Sequence, residues 1–188
     1  LALSAGALAF AAALSAPRRT ALVLAYGFAA LTLLAPLIPY ILRFIVGGQS
    51  HLDGPLAPMA DWLSIIRADK AKLLTGHGLE SAARSVASGH LPADTPRTAI
   101  FDIWYELGVI GAAATAALIF GLFRFAARLH PMAAPAVIGG VVTGLVMAST
   151  SAGAIKSSWL TLVAVAGVIF TATVNGLYRT SRPTAPSQ

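Results

Sequence analysis

The sequence predicts an all-α integral membrane protein, a bundle of about five transmembrane helices with one large polar loop. Composition is the first reason: 57% of the 188 residues are hydrophobic and only 11% are charged, with a mean hydropathy of +0.77, whereas a soluble domain carries ~25% charged residues. Spacing is the second: most apolar runs approach the ~20 residues that a helix needs to cross a bilayer, and short basic turns separate several of them. The net charge of +6 is spread along the chain, so it marks orientation rather than a nucleic-acid surface. There is no cysteine, which excludes disulfides and thiolate metal sites.

Residues 1–16 are apolar and Ala-rich, too short to cross a bilayer at ~1.5 Å per residue. No charged n-region precedes them, so they are not a complete signal peptide. They are expected to be a truncated first span, in the C-terminal part of a longer membrane protein or in one missing its start. Pro17-Arg18-Arg19 reads as a tight basic turn, and residues 20–46 as the second span. Pro36 and Pro39 should kink that span and free carbonyls that neighbouring helices or water must satisfy. Arg43, in its last turn, either snorkels to the interface or faces an acid inside the bundle.

Residues 47–98 form the polar, outward loop. Pro58 is placed to open a helix, and Met59, Trp62, Leu63 and Ile66 repeat at helical spacing, with Arg67, Lys70 and Lys72 supplying a basic side. This reads as an amphipathic helix lying on the membrane or capping the bundle. Thr75-Gly76-His77-Gly78 is a Gly-flanked turn, and a short helix over about 79–88 follows, ended by Gly89. Glu80 and Arg84 have the spacing of a local ion pair.

A third span runs from Thr98 or Ala99 to about Phe123, and a fourth over 133–149, where Gly140 and Gly144 read as a close helix–helix contact. After a short loop with Lys156 comes a fifth span over 159–178, with aromatics at both ends, then a polar Pro/Ser tail over 179–188. The arginines at 18–19, 124–128 and 179–182 fall on one side, which the positive-inside rule assigns to the cytoplasm. The loop holds five basic and five acidic residues and is placed outside.

Asp102 and Glu106 stand four apart in the first two turns of the third span, on one helix face. Intramembrane carboxylates are costly and mark function, or else they pair with Arg43 or Lys156 and hold the bundle together. The outer side gathers Arg43, Arg67, Arg84, Arg97 and His77 with these two acids. Guanidinium forks match the oxygens of a diphosphate, so Arg97, Arg84, Arg67 and Arg43 are candidate ligands for a lipid-linked diphosphate. Glu106, Asp102 or His77 could take a proton from an attacking sugar hydroxyl. His77, between two glycines, reads more readily as a turn residue than as a catalyst. His77 and His90 lack zinc-ligand spacing, and neither metal nor cofactor is expected.

The stretch from Trp62 to Ala112 resembles the O-antigen ligase and O-antigen polymerase family of bacterial membrane proteins. The resemblance is carried by Trp62, by Gly76-His77-Gly78-Leu79-Glu80, and by Ile103-Trp104-Tyr105-Glu106-Leu107-Gly108-Val109-Ile110-Gly111-Ala112. It implies a GT-C-like glycosyltransferase in the bacterial inner membrane, with a periplasmic loop. Such an enzyme moves a glycan from undecaprenyl diphosphate to lipid A–core or to a growing polysaccharide. The sequence departs from the family pattern at two positions: Arg97 stands where the family carries its functional histidine, and Pro58 where the family has an arginine. Arginine does not deprotonate in proteins. The base is therefore Asp102, Glu106 or His77, or the chain is a divergent member with altered or no catalysis. A non-catalytic lipid-linked glycan binder or transporter, and a structural envelope subunit, are the competing readings; the partners expected are membrane lipids and the carrier-linked glycan. A topology reporter fused within residues 47–97 is expected to be active only outside the cytoplasm, and cytoplasmic activity would overturn the outward assignment.

Overall fold

The computed structural model describes residues 1–45, 62, 64–65, 70–92, 95 and 98–150, and of Leu42 and Arg43 the backbone alone. Every regular element among them is helical. In chain order these are α1 (Ala2–Ser15), α2 (Pro17–Leu34), a 3-10 turn (Ala35–Leu37), α3 (Ile38–Ile45), α4 (Lys72–Thr75), α5 (Ser81–Ala87), α6 (Ala99–Ala126) and α7 (Ala134–Thr150). Among the described residues two stretches are long and apolar enough to cross a membrane, Pro17–Ile41 and α6. α1 and α7 are apolar but shorter, at 14 and 17 residues. The span expected over 159–178, Lys156, the tail over 179–188, and Pro58, Met59, Leu63, Ile66 and Arg67 of the expected amphipathic helix lie outside the described residues. Trp62, Ser64 and Ile65 have helical backbone.

The break between α1 and α2 is sharper than the basic turn expected from the sequence. Ala16 alone leaves the helical region, at φ −149°, and Pro17, Arg18 and Arg19 already form the first turn of α2. Proline suits that position because its missing N–H would have no intrahelical acceptor there. α2 and α6 run antiparallel: Tyr26 meets Phe120 edge-on at 5.1 Å, Phe28 stacks on Phe123 at 5.9 Å, and Thr32 meets Trp104. Arg18 and Arg19 therefore share an end of the pair with Arg124 and Arg128, as the charge pattern requires.

α1 packs along α7 around Gly6. A Cβ on Gly6 would collide with Thr143 Oγ1 and come within 2.8 Å of the Gly139 carbonyl, while one on Gly139 would come within 3.0 Å of the Gly6 carbonyl. Against α1, the small residues in contact are therefore one position earlier than the Gly140 and Gly144 expected from the sequence. Among the described residues nothing lies within 4 Å of a Cβ built on either of those glycines, and the small-residue face that makes contact is Gly139 and Thr143. The core here is built of alanines (Ala9, Ala13, Ala21, Ala25, Ala126, Ala134) closed by Phe123, Ile138 and Val142. A second cluster, Ala35, Trp62, Phe101, Trp104 and Ala112, lies at the loop end.

The kink expected at Pro36 and Pro39 is the 3-10 turn Ala35–Leu37. Pro36 has no N–H, so the Thr32 carbonyl loses its helical donor. Trp104 Nε1, buried on α6, donates to that carbonyl at 2.8 Å. Pro39 does the same to the Ala35 carbonyl, which accepts instead from the Ile38 amide. Trp104→Phe keeps most of the packing but leaves the Thr32 carbonyl without this donor, an expected loss of about 1–3 kcal/mol. Thermal unfolding in detergent checks this, and adding Pro36→Ala, which restores a helical N–H, is expected to recover part of the loss.

Candidate functional site

α6 begins where the sequence predicts. Thr98 caps it, its Oγ1 accepting from the Phe101 amide at 3.3 Å. It does not run unbroken through the motif, however. Gly108 has φ 63° and ψ −156°, a backbone region open essentially to glycine alone. The expected continuous third span is thus two helical segments meeting at a break. A lone glycine in an apolar helix reads as tolerated, which is why the sequence does not announce it.

Carbonyls that precede such a break lose intrahelical donors, and here the Gly76-His77-Gly78 turn supplies replacements. The His77 amide donates to the Tyr105 carbonyl and the Gly78 amide to the Glu106 carbonyl, both at 2.9 Å. The approach is backbone to backbone. Gly76, at φ 72° and ψ 176°, is in the same glycine-only region. A Cβ on it would collide with the Glu106 carbonyl, and a Cβ on Gly108 would come within 2.7 Å of the Gly76 nitrogen and the Leu74 oxygen. The two glycine motifs of the sequence are the two halves of one joint.

The joint fixes His77. Its ring stacks on Tyr105 with centroids 4.1 Å apart and planes 6° from parallel, and its Nδ1 lies 2.9 Å from the Tyr105 carbonyl. A carbonyl only accepts, so Nδ1 carries the proton, and in the neutral ring Nε2 carries the lone pair. Tyr105 stacks in turn on Phe101 at 5.6 Å, and Phe101 meets Trp62 edge-on at 5.4 Å. This aromatic column is anchored at the far end of Tyr105, whose hydroxyl donates to Ser85 Oγ at 3.1 Å. Trp104 has its role in the α2 kink.

His77 faces an open groove of about 390 Å³ that it lines with Ser81, Arg84, Ser85, Ser88 and His90. Of the expected arginines, the structure brings Arg84 to this groove; Arg67 and Arg97 lie outside the described residues, as does the side chain of Arg43. The expected Glu80–Arg84 ion pair is not what the chain makes. Glu80 sits before α5 in a left-handed conformation, φ 60°, which takes its carboxylate off the helix face. Arg84 instead donates to the main-chain oxygens of Leu79 and Glu80, at 2.7 and 3.4 Å. Asp102 is buried and Glu106 half-buried one turn on, and neither lines the groove. Tyr105, Ser81, Ser85 and Ser88 escaped the sequence reading. Only Tyr105, next to Glu106 in the motif, had a position that could have singled it out.

Gly76→Ala and Gly108→Ala are each expected to cost more than the about 1–3 kcal/mol of a forced backbone conformation, because each also drives a Cβ into backbone. Gly78→Ala, at φ 94° but with open space around its Cβ position among the described residues, is expected to cost less. Melting temperatures of the three variants in one detergent give the order.

No protein-family model, no curated protein and no solved structure matches this chain.

Proposed function

We propose that the chain belongs to a multi-span bacterial inner-membrane enzyme. In this reading it transfers a glycan from a polyprenyl diphosphate carrier to lipid A–core or a growing polysaccharide, at the periplasmic face. The observation that carries the reading is the joint between the Gly76–Gly78 turn and the Gly108 break. It holds an imidazole with a defined tautomer beside a guanidinium, in one polar groove at the loop end of apolar helices. The membrane setting is supported by how little of the two long helices is covered: 28% of each apolar window is buried, and side chains such as Val23, Ile110, Leu118 and Phe125 are 60–74% exposed. Water would not tolerate so continuous an apolar surface, whereas lipid does. Five spans and a GT-C-like arrangement are the fuller form of the same proposal.

The chemistry follows from the groups. His77 Nε2 accepts the proton of the acceptor hydroxyl as its oxygen bonds to the anomeric carbon. The bond from that carbon to the diphosphate oxygen breaks, and the carrier diphosphate leaves with the electron pair. Arg84 and the arginines at 43, 67 and 97 supply guanidinium for its charge. Asp102 and Glu106, near the joint on α6, serve in positioning or proton transfer. Arg97, where the resembled family has its histidine, favours a second reading, a lipid-linked glycan carrier without catalysis.

His77→Gln is expected to lower glycan transfer ~10²–10⁴-fold while lipid-diphosphate binding persists. The readout is the size distribution of surface polysaccharide in cells lacking their own copy of the gene, with carrier-linked glycan accumulating in the variant. Unchanged polysaccharide with His77→Gln, but a changed one on gene deletion, would point to the carrier reading instead.

A further inference from the structure

The end of the bundle far from His77 carries Arg18, Arg19, Arg124 and Arg128 and has no carboxylate to pair with them among the described residues. All seven acidic residues of the chain lie between Asp53 and Glu106, and the described ones, Glu80, Asp102 and Glu106, belong to the loop end. Arg124 has its guanidinium 5.9 Å from the centre of the Phe120 ring. Arg18 and Arg19 stand instead in the first turn of α2, which holds no acid, at the helix end where positive charge is least favoured. Neither Arg19 nor Thr20 has a side-chain partner among the described residues.

Arg19 also stands at the mouth of a groove. α1 packs along α7 and α2 along α6, while α2 and α7 make little contact. What is left between them is an open apolar groove of about 600 Å³, with Leu8, Val23, Phe28 and Val146 in its lining and Arg19 and Thr20 at one end. Leu8 and Val23 are 72% and 71% exposed. From Arg19 to Phe28, α2 rises roughly 13 Å at ~1.5 Å per residue, close to the ~15 Å of hydrocarbon in one leaflet.

We propose that this groove holds one anionic phospholipid, with an acyl chain lying along α2 from Val23 to Phe28 and the phosphate at Arg19 and Thr20. The guanidinium fork matches the phosphate oxygens, and the threonine hydroxyl adds a donor. A soluble anion would satisfy Arg19 and leave the apolar walls bare; a neutral lipid would cover the walls and leave Arg19 without a counter-charge. The site is at the opposite end of the helices from the His77 groove and involves neither Arg84 nor the transfer chemistry. It rests on the membrane setting of the proposed function and not on glycan transfer.

The test uses the full-length protein, extracted in mild detergent from a mixture of phosphatidylglycerol and phosphatidylcholine, with the lipids kept per chain counted by native mass spectrometry. Wild type is expected to keep one phosphatidylglycerol in preference to phosphatidylcholine. Arg19→Gln is expected to lower that retention about fivefold and to leave phosphatidylcholine unchanged. Ala12→Phe, which puts a ring into the groove from α1 and keeps Arg19, is expected to lower it several-fold. Arg124→Gln removes the same charge at the same end but outside the lining, and is expected to do less. Melting temperatures in phosphatidylcholine nanodiscs show that the variants are folded. No preference for phosphatidylglycerol, equal losses in Arg19→Gln and Arg124→Gln, or an inert Ala12→Phe overturns the site. So does crosslinking of Val23→Cys to a cysteine placed within 159–178 or to a second copy, because the groove would then be filled by protein. Protein released from membranes without detergent removes the membrane setting and the site together, whereas membrane-bound protein without the preference removes the site alone. Failure of the glycan-transfer assay beside intact phosphatidylglycerol retention leaves the site standing.

Discussion

A carbonyl oxygen without a donor is the constraint on which this structure depends. Apolar surroundings offer no water to repair a broken helix, and each bare backbone group there costs several kcal/mol. Among the described residues the chain breaks two helices that pack on each other, α2 at Pro36 and α6 at Gly108. It satisfies both breaks from outside the helix concerned. Trp104 of α6 serves the break in α2. The Gly76–Gly78 turn serves the break in α6. Because Trp104 lies only four residues before Gly108, the two repairs brace one another, and the second hydrophobic cluster, with Trp62, Phe101 and Trp104, fills the space between them.

The two ends of the bundle differ in what holds them. At the arginine end the helices meet through alanine, and through Gly6 against Gly139 and Thr143. Close approach without large side chains gains van der Waals contact along the whole length of the helices. At the loop end the contacts are aromatic and hydrogen-bonded, and they are directional. Directional contacts suit a place where one imidazole must keep one orientation, and that is where His77 is found.

Local rules carried the sequence reading a long way. Thr98 as the start of α6, the kink at Pro36, the turn at Gly76–Gly78, the stop at Gly89 and the antiparallel arginine ends all rest on a residue's own backbone or charge preferences, which are written at the position itself. What the sequence could not show is pairing over distance. That the Thr32 carbonyl finds Trp104, 72 positions away, depends on helix rotation. Gly139 and Thr143 compete with Gly140 and Gly144 as equally small faces of α7, and only packing against Gly6 decides between them. The Glu80–Arg84 spacing assumed that both residues are helical, and a left-handed Glu80 breaks that assumption.

Docking the turn by its backbone, rather than tethering it by its ends, separates the site from the length of the chain that leads to it. Gly76, His77 and Gly78 are located by the carbonyls of Tyr105 and Glu106, so the imidazole takes its coordinates from α6. Residues added or lost ahead of Lys72 would change the path of the polar segment without moving the ring. Such a chain can remodel its polar loop over evolutionary time while the ring that faces the groove stays where the helix puts it.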